Sequence, residues 1–278
     1  MNREEWLKWR RIGSSDAPAI MGVSPWATPY QLWEQKVSGM ERESNSAMKR
    51  GVEMEETARR SFEKKMGVEV FAKRMEHPSI EFMTATLDGI DIDNRVLVEI
   101  KCPNREDHAL ALRGKVPEKY IPQLQHQLAV TGLDGMYYFS FTGEDGCIVE
   151  IPRDESYLQQ MIEEEEKFWR CIQDHKAPAL TERDYVQMGD DNEWHTLSSQ
   201  WVQVSRNLKS LEKEEKDLRD SLIGLAQNKN AQGAGVRLTR FPTQGHVDYL
   251  KIPELQGVNL DIYRKEPYMK WRISETKN

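Results

Sequence analysis

The chain has 278 residues, 38% of them hydrophobic and 31% charged, with a formal net charge of −7 and a pI near 5.6. That composition can bury a core and excludes a disordered tail, and no apolar run approaches the ~20 residues a membrane-spanning helix needs. An acidic balance argues against a protein that coats nucleic acid by bulk charge, but it leaves room for an enzyme with a local basic groove and carboxylates gathered around metal ions.

The first 66 residues read as helices. Ser14-Ser15-Asp16-Ala17-Pro18 places a helix cap before an apolar run that stops at Met21-Gly22. Thr28-Pro29-Tyr30 opens a second helix with Pro in its first turn, running through Leu32 and Trp33 towards Gly39. A longer helix, about 45–65, carries Met48, Val52, Glu55, Ala58 and Phe62 at steps of three and four, a stripe that is apolar except at Glu55.

From Val68 the pattern changes to strands, predicted over 68–71, 82–87 and 96–101, separated by Gly, Pro, Asn and Asp. A helix over 118–130 and strands over 137–141 and 147–151 follow, and Asp154 caps an amphipathic helix that reaches Ile172. Helices, a mixed sheet and a flanking helix predict one α/β domain over residues 1–180. Beyond it, 181–193 reads as a linker. Trp201, Val204, Leu208, Leu211, Leu218, Leu222 and Leu225 then form a heptad seam broken only by Glu215. A strand at 236–240, with 268–273 as its partner, completes a small β-rich cap in a second region, 181–278. The seam suits an intramolecular helix pair, a subunit contact or a docking site for a partner protein. The three cysteines, Cys102, Cys147 and Cys171, lack CxxC spacing, and the opening MNREEWLKWR lacks a signal-peptide core, so a reducing cytoplasmic location is expected.

The chemistry concentrates in Thr86-Leu87-Asp88-Gly89 and Val96-Leu97-Val98-Glu99-Ile100-Lys101. Strand alternation turns Glu99 and Lys101 to one face and Val98 and Ile100 to the other. Asp88, just before an Asp-Gly turn, meets Glu99 if the two strands form a hairpin. Two carboxylates and the Ile100 carbonyl then offer the hard oxygen donors that Mg²⁺ or Mn²⁺ prefers, with positions left for water and phosphate. Lys101 could orient or deprotonate the attacking water. A surface ion pair on an edge strand is the alternative reading. Glu55 adds a carboxylate facing a core, which asks for a partner or a metal unless the stripe is rotated by one residue. Tyr120, Gln123 and Gln127 share a helix face at i, i+3, i+7, a row of neutral hydrogen-bonding groups suited to phosphate and water, or simply a solvated face.

Helix-borne Glu55, Asp88-Gly89, Glu99-x-Lys101 and Tyr120-x-x-Gln123, in that order, resemble the PD-(D/E)xK nuclease superfamily, and specifically its lambda-exonuclease and YqaJ-like phage recombinase family. The likeness covers about residues 5–175. Trp9 to Ala17 is similar to that family's N-terminal signature, Arg50-Gly51 through Glu55 to its Gly-xxx-Glu helix, and Glu99-Ile100-Lys101-Cys102-Pro103 to its catalytic strand. The resemblance implies a restriction-endonuclease-like core and a Mg²⁺-dependent 5′→3′ exonuclease acting on double-stranded DNA ends, with Mn²⁺ able to substitute. Asp88, Glu99 and the Ile100 carbonyl would bind metal, Glu55 would support a second metal or its water, Lys101 would be the catalytic lysine, and Tyr120 with Gln123 would complete the site. Ser15 and Gln127 would lie near DNA, and one of Lys8, Arg10 and Arg11 would hold the 5′-phosphate. Leu87 stands where the family often has Pro, a position whose role is backbone shape.

The same resemblance implies a ring-shaped trimer, a single-strand-annealing partner and, for a phage-encoded chain, the bacterial host cytoplasm. Two alternatives use the same residues. One is a structure-specific or nicking endonuclease on this fold, told apart by whether it cuts a covalently closed circle. The other is a DNA-end-binding recombination adaptor with a vestigial site, against which the intact Glu55, Asp88, Glu99 and Lys101 speak.

Overall fold

The apolar and β-branched segments of the middle of the chain become one mixed sheet. In the computed structural model, which describes residues 10–38, 46–258, 260–263, 265 and 270–275, its strands are β1 (Ile12–Gly13), β2 (Phe71–Glu76), β3 (Met83–Ile90), β4 (Leu97–Lys101), β5 (Gly135–Phe141) and β6 (Gly146–Pro152). Their order is β1-β3-β4-β5-β6, with β2 also paired to β3. β1 runs parallel to β3 and β4 parallel to β5, and the other pairs are antiparallel. Because β2 takes one edge of β3 from Thr84 to Ile90, β1 and β4 share the other, β1 at Met83–Thr84 and β4 at Gly89–Ile90.

The helices are α1 (Ala17–Ile20), α2 (Pro29–Ser38), α3 (Ser46–Met66), α4 (Arg105–Ala111), α5 (Ile121–Thr131), α6 (Glu155–Gln173) and α7 (Asn192–Leu225). Strand alternation divides the core in two. Leu87, Leu97 and Tyr138 face one way and pack with Ile20 of α1, Leu32 of α2, Leu124 and Leu128 of α5 and Leu158 and Phe168 of α6. Val98, Ile100, Phe139 and Phe141 face the other way, onto Ala58 and Phe62 of α3. Phe62 is fully buried and meets Phe139 edge-on at 5.6 Å, a burial worth roughly 2–3 kcal/mol. The restriction-endonuclease-like α/β core expected from the sequence is present.

Several local expectations are corrected. The strand expected at 68–71 forms at Phe71–Glu76 instead. Val70 is buried against Val98, and its N–H donates to Glu63 Oε1 at 2.9 Å rather than to a ladder. The helix α4, capped by Asn104 accepting from the Asp107 N–H, was not anticipated, since its short polar sequence shows no periodicity. The strand β8 (Val236–Leu238) pairs with β7 (Ala231–Gly233), not with 268–273. Residues 270–273 carry no strand, while Tyr268 and Met269 lie outside the described residues, as do the side chains of Met48 and Val52.

The chain divides into two units, Met1–Tyr185 and Val186–Asn278. Residues 181–184 belong to the first: Thr28 Oγ1 donates to Asp184, and Arg183 donates to the Ser24 and Pro25 carbonyls at 2.8 and 2.9 Å. The second unit holds α7, whose Val204, Leu208, Leu211 and Leu218 are exposed, and among its described residues there is no second α-helix for that seam to pair with. Among the described residues no helix is long and apolar enough to cross a membrane.

Candidate active site

The site grows from an irregularity in β3. Phe71 pairs with Ile90 and Lys73 with Leu87, so two steps along β2 match three along β3 and an extra residue sits at Asp88–Gly89. Asp88-Gly89 is therefore a bulge inside a strand, not the turn expected from the sequence. The turn lies beyond it, where Asp91 Oδ1 accepts from the N–H groups of Arg95 and Val96 at 2.6 and 2.7 Å. A bulge re-aims the side chains around it. Leu87 faces the core and Asp88 turns to the same side, towards Glu99. Gly89 is required here, because a Cβ would come within 2.6 Å of Val70 Cγ2 and 2.8 Å of Val98 Cγ1.

Past the bulge, β3 and β4 part. Their ladder has only the pairs Gly89–Val98 and Ile90–Leu97. At the fork Asp88 Oδ2 takes over, accepting from the Ile100 N–H at 2.9 Å. The N–H and C=O of a strand residue point to the same edge, so the Ile100 carbonyl also faces the fork beside Asp88.

Glu99 is 1% exposed, which would be costly for a carboxylate without partners. It has three. Its Oε1 accepts from Lys101 Nζ and from Gln123 Nε2 at 2.5 Å, and its Oε2 accepts from Gln127 Nε2 at 2.5 Å. Helix α5 supplies both amides one turn apart. Burial and then repulsion from Glu99 push the Asp88 carboxyl up to about 7, against the pull of Lys101 and the Ile100 N–H. Burial disfavours the Lys101 ammonium, but Glu99 and Asp88 outweigh it and hold its pKa above the ordinary lysine value. Lys101 is thus a fixed cation beside a crowded pair of carboxylates.

That crowding is what a divalent cation would relieve. The donors fit a hard ion: two carboxylates on facing strands and a backbone carbonyl, with no thiolate or imidazole between them. Among the described residues no three His, Cys, Asp or Glu side chains converge on one point. A cation held by Asp88, Glu99 and the Ile100 carbonyl would therefore keep most of its positions for water and phosphate, as Mg²⁺ does.

Glu55 does not face the core. Its side chain is 40% exposed and pairs with Arg59 at 2.7 Å, at the edge of the α3 stripe. Arg59, absent from the sequence reading, also donates from Nε to the Asp88 carbonyl at 3.1 Å, so it ties Glu55 to the bulge. The only hint in the sequence is its i+4 spacing from Glu55, which every exposed helix shows. Gln127 is wholly buried and holds Glu99 instead of facing DNA. Tyr120 is buried, stacked on Tyr138 at 5.9 Å, with Lys101 Nζ 5.5 Å from its ring centre.

The expected phosphate-binding residues are dispersed. Ser15 is exposed in the turn Ser14–Asp16. Arg10 Nε donates to the Lys36 carbonyl at 2.6 Å and Arg11 pairs with Glu76 at 2.7 Å, while Lys8 lies outside the described residues.

A mixed sheet that forks at a pair of carboxylates, with a lysine on the same face, defines the restriction-endonuclease-like class of nuclease folds. Residues 5–134 match the YqaJ-like viral recombinase domain. The chain is similar to the uncharacterized protein YqaJ of Bacillus subtilis (strain 168), at 31% identity over 191 residues that make up 65% of this chain and 60% of that protein. It thus spans less than two thirds of that relative's length. Among solved structures, LHK-Exo in complex with dAMP matches with a TM-score of 0.53 and 28% identity, over 62% of this chain and 94% of that one. LHK-Exo of Laribacter hongkongensis, an alkaline exonuclease, matches again in a second crystal structure with a TM-score of 0.52 and 28% identity over the same shares.

Proposed function

We propose that this chain is a Mg²⁺-dependent deoxyribonuclease, a 5′→3′ exonuclease that resects one strand of a linear duplex and leaves 3′ single-stranded overhangs for annealing-type recombination. The observation that carries the reading is the fork: Glu99, gripped by Lys101, Gln123 and Gln127, faces a bulge-aimed Asp88. The likeness of residues 5–134 to a recombinase domain and of the fold to alkaline exonucleases supports it.

A Mg²⁺ ion at Asp88 and Glu99 would polarise the scissile phosphate and ease deprotonation of the attacking water. The chain's own residues do the rest. Gln123 and Gln127 fix the carboxylate of Glu99 so that it cannot swing away. Lys101 faces the space where phosphate would lie, orients the nucleophilic water and stabilises the charge that builds on the phosphorane. Arg59 holds the Asp88 backbone and keeps Glu55 at the rim. The proposed partners are a double-stranded DNA end, further copies of the chain in a trimer, and a single-strand-annealing protein. The 5′-phosphate would be taken by Lys8, Arg10 or Arg11, with Ser15 nearby.

Linear duplex labelled at either the 5′ or the 3′ end, with and without Mg²⁺, beside a covalently closed circle, tests the reading. Release of mononucleotides from 5′ ends in Mg²⁺ alone, with the circle intact, is expected. Cutting of the circle would make the chain an endonuclease, and binding of ends without hydrolysis would make it an adaptor.

A further inference from the structure

His126 is a buried titratable group that none of the roles above uses. It stands on α5 between Gln123 and Gln127. Its ring and the carboxylate of Glu165 on α6 are both fully buried, and Nδ1 bonds Glu165 Oε1 at 2.7 Å. Nε2 lies 3.0 Å from the Thr84 carbonyl, and because a carbonyl only accepts, Nε2 carries a proton and donates it. The second oxygen of Glu165 has no hydrogen-bond partner among the described residues. A buried ion pair with an unmet oxygen gives a fold no more than two apolar side chains of the same size would, so stability alone does not account for it.

Thr84 lies on the forked edge of β3. The Phe82 carbonyl accepts from the Ile12 N–H at 2.8 Å, and the Met83 carbonyl, on the other edge, accepts from the His77 N–H at 3.0 Å. Alternation then turns the Thr84 carbonyl to the edge that β1 and β4 share. The β1 ladder ends there at the Gly13–Thr84 pair and the β4 ladder begins at Gly89, so residues 85–88 of that edge have no partner strand among the described residues. His126 stands at the start of this gap. Gln123 and Gln127 of the same helix hold Glu99 on β4, so about one turn of α5 grips both branches of the fork.

We propose that His126, held by Glu165, is a positioning residue of the metal site: it fixes the β3 branch to the helix turn that fixes Glu99, and so sets the separation of Asp88 from Glu99. The fork needs such a tie. Its two carboxylates repel each other, while the β3–β4 ladder is two pairs long and is closed by the Asp88–Ile100 bond. Thr84 is four residues before Asp88 on the same strand, so a shift of this branch against α5 is carried to the aspartate. Mg²⁺ demands near-ideal octahedral geometry, so a small change in that separation is felt in its affinity. Glu165 completes the tie by keeping the imidazole from turning and by joining it to α6. This role rests on the nuclease reading and deepens it by adding a residue that acts through α5 rather than on the phosphate.

The test compares two double substitutions that remove both charges. In His126→Gln with Glu165→Gln, the amide at 126 reaches where Nε2 stood and can still donate to Thr84. In His126→Asn with Glu165→Gln, the amide reaches only where Nδ1 stood, so the bond between the two side chains can form and the bond to Thr84 cannot. Mn²⁺ affinity of the full chain is measured by calorimetry without DNA, beside urea unfolding. The single-turnover rate and the half-saturating concentration of duplex are then measured in Mg²⁺. The glutamine variant should bind Mn²⁺ within about threefold of wild type. The asparagine variant should stay folded, bind Mn²⁺ about tenfold more weakly, and cleave about tenfold more slowly with half-saturation changed by less than about threefold, at the low end of what partners behind a metal ligand are worth. Equal Mn²⁺ affinity in the two variants, or loss of the fold in either, overturns the positioning role. If wild type binds Mn²⁺ and hydrolyses duplex but the two variants bind Mn²⁺ alike, that role alone fails. If wild type neither binds Mn²⁺ nor hydrolyses duplex, the nuclease reading fails and the role with it.

Discussion

In the unit Met1–Tyr185 the charged groups that matter are enclosed, and each has a partner. Glu99 is caged by Lys101 and two glutamines, and the fully buried His126 and Glu165 bond to each other at 2.7 Å, with His126 Nε2 also donating to the Thr84 carbonyl at 3.0 Å. In the unit Val186–Asn278 the apolar groups stand outside: α7 runs for 34 residues without burying one, and Leu208, Leu211 and Leu218 are more than half exposed. A large core lets a protein keep charges in a medium where neighbours perturb them strongly, which is where chemistry is done. A lone helix has no such medium, and its leucines can serve only contact.

The largest effect is expected at the enclosed cation. Lys101→Ala should lower single-turnover cleavage by about 10²–10³-fold or more while the fold and DNA binding survive. Cleavage within a few-fold of wild type would show that the enclosed charges are structural and dissolve the contrast between the units. Next comes the buried pair. Glu165→Gln leaves His126 without its counter-charge and should cost about 3–5 kcal/mol in urea unfolding. Burial disfavours the His126 imidazolium, but Glu165 more than offsets it, so its pKa stands above 6.5 when folded. Its contribution is therefore complete below about pH 6.5 and is lost as pH rises through the raised value. The wild-type urea midpoint should fall between pH 6 and pH 9, and that fall should shrink in Glu165→Gln. An equal fall in both proteins would place the titration elsewhere.

A smaller effect should mark the boundary between the units. A chain ending after Tyr185 should hydrolyse labelled duplex within about threefold of full length under single-turnover conditions. One ending after Leu180 lacks Arg183 and Asp184, which hold Ser24, Pro25 and Thr28, and should be less stable to urea by about 1–3 kcal/mol. Equal urea midpoints for the two truncations would show that this clamp adds nothing to the fold. The smallest effect is expected on α7: Leu208→Ser with Leu211→Ser should leave hydrolysis within about twofold while altering sedimentation or partner capture. A loss of hydrolysis in that variant would make the exposed seam part of the chemistry.

Glu99, Lys101 and Gln123 come together as read because a period-two strand and a helix face each leave a pattern in consecutive residues, whereas Asp88 reaches Glu99 through a bulge that the expected hairpin turn did not foresee. The long amphipathic helix capped by Asp154 was legible for the same reason, with Asp154 accepting from the Tyr157 N–H. What was not legible depends on contacts between distant segments. Arg59 reaches a carbonyl 29 residues away, and Arg183 reaches 159 residues back to Ser24. Neither leaves a local trace. β2 was misplaced because Phe71 and its neighbours form an edge whose side chains are mostly exposed, so they lack the alternation that marks a half-buried strand. Glu55 was placed in the core because a helical stripe read to the nearest residue cannot tell its centre from its rim.

The bulge at Asp88–Gly89 makes the working centre a matter of counting as well as of residue type. Three residues of β3 span the length that two of β2 span, and the surplus one decides which way Asp88 looks. Losing Gly89 would keep every proposed catalytic side chain in the protein and yet swing Asp88 round to the opposite layer, against Val70 and Val98. Spacing alone can thus dismantle the proposed centre, and a relative bearing the full motif but a different number of residues across this stretch is better judged by its ladder than by its letters.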